Sequence, residues 1–216
     1  MDIELCHLGD DCASGIIIDD IIYQHKKLLF MLGEYHFNDI INYLHNNHLE
    51  DIYNKDKLII VKNGVKHKDY NFLFNHDYNI NNSVITNHDF IKLRFDEKIK
   101  NFRNILFSDT TCIFITFTKN IDKLNINNMI KWLTIHKKKF HLMIFTNNDY
   151  TNDYNHTNLS IIKLTNSYLE WYGFSKSVKE KLYKEIYNKF IERLQVVGID
   201  NNFPKDYNDT YKTSRV

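Results

Sequence analysis

The chain has 216 residues, with 28 Lys and Arg against 27 Asp and Glu and a formal charge of +1. A balance this even supplies no overall field for nucleic acid or an anionic membrane, so neither is expected as a partner. The length is enough to bury a core without metal or disulfide support, and one α/β domain over 1–198 with a polar tail at 199–216 is expected.

Ile3 to Leu8 alternate imperfectly and read as a short strand leading to a turn at Gly9. Leu8-Gly9-Asp10-Asp11-Cys12-Ala13-Ser14 then delivers a cysteine to the start of a helix expected over Asp11 to Lys27. The helix dipole lowers the pKa of a thiol in that position, whereas two flanking carboxylates oppose the shift. Packing as a small buried hydrophobe is the plainer role for Cys12 on composition alone. Three cysteines, Cys6, Cys12 and Cys112, show no paired spacing, which fits a reducing, cytoplasmic setting rather than a disulfide framework. Met1-Asp2-Ile3-Glu4 does not open a secretory signal, and no apolar run approaches the roughly 20 residues of a membrane span.

Leu28 to Leu32 is a buried apolar connection. Tyr35 to Asn46 carries Phe37, Ile40, Ile41 and Leu44 on one helical face. Lys57 to Lys66 holds a β-branched run ending in Asn63-Gly64, a hairpin signal, with the return strand at Val65 to Tyr70 or Tyr70 to Phe74. After an Asn-rich loop, Phe95, Ile99, Phe102 and Leu106 define a helix over Phe95 to Leu106. Thr111 to Phe117 and His141 to Thr146 read as strands buried on both faces, joined through a helix at Asn127 to His136 as a parallel β-α-β unit. Leu159 to Leu164 adds a third strand. Asn147 to Asn158 forms a polar loop at a strand's C-terminal end, where open α/β sheets place ligands. Ser177 to Val197 is a helix with Gly198 as its cap, and Asp200 to Val216 is a polar tail. The abundance of Asn, Ile, Lys, Tyr and Phe is the bias of an AT-rich genome. Isolated polar residues therefore carry little message.

Two His-Asp pairs, His76-Asp77 and His88-Asp89, offer an imidazole that can serve a cysteine as general base. A surface histidine in an Asn-rich loop is the plain alternative for each. Lys62, Lys66, His67 and Lys68 provide a weaker set of phosphate contacts, without the Gly-rich loop that usually accompanies them. No metal or other cofactor is expected, and oligomeric state is left open.

Leu8-Gly9-Asp10-Asp11-Cys12 resembles the LGxxC opening of a largely uncharacterised family of papain-like cysteine peptidases from bacteria and large DNA viruses. In that family a helix, an FDW-like segment, an amphipathic helix, a hairpin, an HDF-like motif, a helix with an RF-like stretch and an apolar strand follow in order. The matching pieces here are Phe30-Met31-Leu32, the Tyr35 to Asn46 helix, Asn63-Gly64, a His-Asp pair, Asn101-Phe102-Arg103 and Ile113 to Phe117. Phe30-Met31-Leu32 lacks the Asp and the Trp. His88-Asp89-Phe90 matches HDF letter for letter, whereas His76-Asp77-Tyr78 directly follows a strand and stands at the more familiar distance from Asn101-Phe102-Arg103. The resemblance implies a papain-like site at a helix N-terminus: a Cys12 thiolate, His76 or His88 as base, and Asp77, Asp89 or a residue of Asn147 to Asp149 orienting the ring. Ala13 would supply an oxyanion-hole N–H. It further implies a cysteine hydrolase acting on an amide, ester or thioester of a peptide or ubiquitin-like conjugate, or else an inactive binding or host-interaction protein on the same fold.

Overall fold

The computed structural model describes residues 3–9, 15–18, 29–30, 34–46, 48–74, 77–119, 122–149, 156–165, 173–199 and 203. Four strands, β1 (Ile3–His7), β8 (Thr111–Phe117), β9 (Phe140–Thr146) and β10 (Leu159–Lys163), form a wholly parallel sheet in the order β1-β8-β9-β10. The chain is therefore a mixed α/β protein. The N-terminal strand is part of the main sheet and not merely a lead-in to the turn.

Alternation along the strands explains why these runs are apolar throughout. Cys112 and Phe114 of β8 and Leu142 and Ile144 of β9 point into one cluster, whereas Ile113, Ile115 and Phe117 with Met143 and Phe145 point into a second. A strand covered on both faces has no solvent side on which a polar residue would be favoured. Covering the first face are α2 (Phe37–His45), α3 (His88–Phe107) and α4 (Lys123–His136). The second is covered by α5 (Lys176–Val196), through Leu182, Ile186, Phe190 and Leu194, and by Ile17 and Ile18 of the helical residues 15–18, the described part of α1. Gly198, at φ +70°, ends α5: its N–H donates to the Gln195 carbonyl and that of Ile199 to Leu194, which satisfies two terminal carbonyls.

A second, antiparallel sheet has the order β2-β5-β4-β3, from β2 (Glu34–Tyr35), β3 (Leu58–Val61), β4 (Gly64–His67) and β5 (Phe72–Phe74). Its inner face sets Tyr35 and Phe72 against Phe30 and Tyr43, with ring centroids 5.2–6.3 Å apart in edge-to-face geometry. Tyr35, expected to begin a helix, is a strand residue paired with Phe72, and the helix starts two residues later. Both proposed return strands of the Asn63-Gly64 hairpin exist, as β4 and β5. A further small hairpin, β6 (Ile80–Asn81) with β7 (Val84–Ile85), turns through Asn82 and Ser83 at positive φ.

The larger correction concerns α3, which begins seven residues before Phe95. Ile91 is buried one turn ahead of Phe95 and extends the core stripe, although Phe90 and Leu93 stay exposed and blur its period. His88-Asp89-Phe90 is thus the first turn of a helix, where Asp89 favours the positive dipole end.

Two polar clusters, the first half-buried and the second centred on buried His141 and Ser160, close the N-terminal edge of the parallel sheet. Ser108 and Thr110 donate to Glu4 at 2.8 and 2.9 Å, while Lys137 donates to the carbonyl and hydroxyl of Ser108. Ser160 accepts from Nε of Arg193 and lies 2.6 Å from Nε2 of His141. Burial, with Arg193 and His156 nearby, pulls the His141 pKa down to about 4, so the imidazole is neutral.

Candidate functional site

The C-terminal ends of parallel strands are where an open α/β sheet presents groups to a ligand. Three described segments converge there: Leu8-Gly9 after β1, Thr118 after β8 and Asn147 to Asp149 after β9. The Leu8 N–H donates to the Ile115 carbonyl, Thr118 to Phe145, and the Thr116 hydroxyl back to Leu8 at 3.0 Å. Gly9 has φ +62°, and a Cβ there would stand 2.7 Å from the Tyr35 carbonyl and 2.5 Å from Ile40 Cδ1. Only glycine fits, because conformation and space both refuse a side chain. Cys12 and Ala13 lie outside the described residues, between this turn and helical residues 15–18.

His76 also lies outside them, but its neighbours do not. Phe74 packs against Tyr35, ring centroids 6.0 Å apart, and Asp77 is buried, with Oδ1 3.5 Å from the Arg94 guanidinium of α3. The second Asp77 oxygen has no hydrogen-bond partner among the described residues. Asn87, just ahead of α3, donates to the Asp77 carbonyl at 3.0 Å and accepts from the Asn79 N–H at 2.7 Å. Tyr78 stacks on the His88 ring at 6.5 Å. These contacts bring Asp77 and the His88-Asp89 pair to one end of α3. Ser108, just past the C-terminus of α3, bonds Glu4 near the start of β1, while Phe95 packs on Phe74, which packs on Tyr35 beside Gly9, so α3 runs with its N-terminus towards the sheet's C-terminal edge. At about 1.5 Å per residue α3 outreaches β8 by roughly 7 Å, which carries His88 somewhat past that edge.

His88 is not the loop histidine of the plain expectation. Its Nε2 donates to the Tyr53 carbonyl at 2.7 Å, which leaves Nδ1 facing the Asp89 carboxylate at 3.4 Å. Asp89 itself is fully solvated, its side chain 98% exposed. The His88 ring also lines a groove of about 350 Å³ with Glu50, Asp51, Tyr53, Asn54, Lys55 and Lys92. Burial and the hydrogen bond to Asp96 push the Tyr53 hydroxyl well above the usual tyrosine range, so it is a neutral donor there.

In the Asn147 to Asp149 loop, the Asn147 amide donates to the Leu164 carbonyl at 3.4 Å, Asn148 reaches the Lys119 carbonyl, and Asp149 pairs with Lys163. The phosphate set does not survive as a group. His67 is wholly buried, accepting from the Asp69 N–H on Nδ1 and facing the Asp51 carbonyl with Nε2, so both ring nitrogens serve the fold. Lys62 and Lys66 share their hollow with Glu34, whose carboxylate opposes an anion.

Sequence reasoning passed over His7, whose only signal is its place at the end of β1. It is buried, hydrogen-bonded to the Phe30 backbone, and pushed by burial down to about 4, hence neutral. The His141 and Ser160 pair has nucleophile-and-base geometry, yet both side chains are 2% exposed at the opposite edge of the sheet, where no substrate reaches. Among the described residues no group of three or more His, Cys, Asp or Glu gathers to hold a metal ion, and no helix is long and apolar enough to cross a membrane. Comparison with protein-family models, curated protein sequences and solved structures gives no match.

Proposed function

We propose that the chain is a papain-like cysteine hydrolase of the cytoplasm, acting on an amide, ester or thioester of a peptide or ubiquitin-like conjugate. The observation that carries the reading is one shared neighbour. Gly9, three residues before Cys12, and Phe74, two residues before His76, both pack on Tyr35 at the C-terminal edge of the parallel sheet. Cys12 then attacks the acyl carbon, and the bond to the leaving nitrogen, oxygen or sulfur breaks as the imidazole returns a proton to it. Water, deprotonated by the same imidazole, releases the acid from the thioester. Ala13, next in sequence to Cys12, contributes an oxyanion-hole N–H.

His76 is favoured over His88 because the His88 ring already donates from Nε2 to Tyr53, and its remaining nitrogen faces a solvated carboxylate. Asp77, buried beside Arg94, is the better orienting carboxylate than Asp89. The engagement of His88 also supports a second reading, in which the fold persists as a binding protein without catalysis. Labelling with an electrophilic acyl or vinyl probe separates the two. Rapid labelling that is lost in Cys12→Ala and slowed at least tenfold in His76→Ala, with His88→Ala near wild type, supports the hydrolase. A Cys12 that reacts no faster than an ordinary exposed thiol overturns it.

A further inference from the structure

Among the described residues the antiparallel sheet ends on one side in β3, an edge strand of sequence Leu58-Ile59-Ile60-Val61 without proline. Native edges of this kind are usually covered, bulged or charged, because an open row of main-chain groups recruits another strand. Ile59 and Ile60 are 39% and 37% exposed although they point to opposite faces. Lys68 donates to the Lys57 carbonyl at 2.7 Å, and Ile59 pairs with Lys66 and Val61 with Gly64. Odd-numbered residues therefore exchange hydrogen bonds with β4, and Leu58 and Ile60 turn their main-chain groups outward. The Leu58 N–H is already donated to Lys55. That leaves the N–H and C=O of Ile60 and the C=O of Leu58 facing away from the sheet.

We propose that β3 pairs antiparallel with β3 of a second copy of this chain, on a two-fold axis through Ile60, to form a continuous eight-stranded sheet. This register uses the outward groups and no others of β3. The two Ile60 residues exchange both of their hydrogen bonds, and each Leu58 carbonyl accepts from Lys62 of the other copy. Side chains agree with it: Ile60 meets Ile60 on one face, and Ile59 meets Val61 on the other, so both exposed isoleucines are covered. Charge agrees too, since Lys62 at one end of the strand approaches Asp56 at the other end of its partner. Lys57, next to the strand, is already held by Asp51 and Asp69 at 3.0 and 3.1 Å and adds little repulsion. Assembly stops at two copies, because the far edge of each sheet is β2, only two residues long. A contact of one short strand belongs to the weak, reversible class.

Light scattering and sedimentation velocity on the full chain, over a concentration series reaching on the order of 100 µM, test the proposal. The expected result is a mass rising from 26.0 kDa towards twice that value. Ile60→Pro removes the outward N–H and none of the β3–β4 bonds, so it is expected to stay monomeric with an unchanged circular dichroism spectrum. Should the proline disturb the hairpin, Ile60→Lys provides the same loss of pairing through charge. In a Cys12→Ser background, Ile60→Cys is expected to form an intermolecular disulfide under oxidation and Ile59→Cys is not. A wild-type chain that remains monomeric throughout overturns the proposal. Dimers that persist in both Ile60→Pro and Ile60→Lys, or Ile59→Cys cross-linking as readily as Ile60→Cys, assign the contact to another surface or register and overturn it equally.

Discussion

The two sheets solve the burial problem differently. In the parallel sheet every residue of β9 is buried, and helices lie on both faces. The antiparallel sheet buries Tyr35, Val65, Phe72 and Phe74 on one face and leaves Glu34, Lys66, Leu73 and Ile59 on the other at least partly in solvent. The first is a rigid platform that gains stability from every side chain. The second is half a platform, with one face left open to solvent. Gly9 is the joint between them, its turn closing the parallel sheet while pressing on β2 and α2.

The contrast is sharpest for truncations in the two sheets. Phe114→Ala, in the middle of β8, is expected to cost about 3–5 kcal/mol in chemical denaturation, whereas Ile59→Ala on the open face costs under about 1 kcal/mol. Equal losses would mean that the antiparallel sheet is covered in solution. Gly9→Ala is expected to lose roughly 2–4 kcal/mol, from the left-handed conformation and from the clash with the Tyr35 carbonyl, read as a fall in melting temperature. Loss of that size would tie the two sheets into one cooperative unit.

Acid should strike the parallel sheet through its buried imidazoles. His7 and His141 have folded-state pKa values lowered to about 4, below the unfolded value of 6.5. Between those limits the unfolded chain binds more protons. Stability is therefore intact above pH 6.5 and falls as pH drops towards 4, by an amount on the order of 2–3 kcal/mol for a group shifted this far. His141→Gln should flatten the dependence of stability on pH in that window by about one proton. An unchanged slope would show that the imidazole already titrates normally. The smallest effect is expected at the surface, where the Arg103 to Glu50 pair, 2.8 Å apart and about half exposed, contributes under about 1 kcal/mol. Arg103→Ala should leave the melting curve nearly in place.

The strands β8, β9 and β10 and the helix α5 were legible in the sequence because their signals are local: unbroken β-branched or apolar runs, and a five-residue stripe from Val178 to Leu194. The antiparallel sheet was only half legible. Tyr35 sits at helical spacing from residues of α2, yet the aromatic cluster around Phe30 and Phe72 draws it into a strand. The first turn of α3 was hidden by exposed Phe90 and Leu93, which break the apolar stripe. For the site, sequence could nominate His88 and Asp77 but not their partners. Tyr53 is 35 positions from His88, and Arg94 is 17 positions from Asp77, so neither contact leaves a trace in local pattern. Cys12, Ala13 and His76 rest on the resemblance and on the residues around them.

The order β1-β8-β9-β10 carries a consequence for synthesis. Ile3 pairs with Thr111, so β1 has no partner in this sheet until more than a hundred further residues have been added. Closing so long a loop is slow compared with joining β8 to β9 through α4, whose contacts are nearer in sequence. The β8–α4–β9 unit is thus expected to assemble first, with β1 docking onto its edge afterwards. The turn at Gly9, which presses on Tyr35 and Ile40, is completed only by that late step, so the joint between the two sheets closes last.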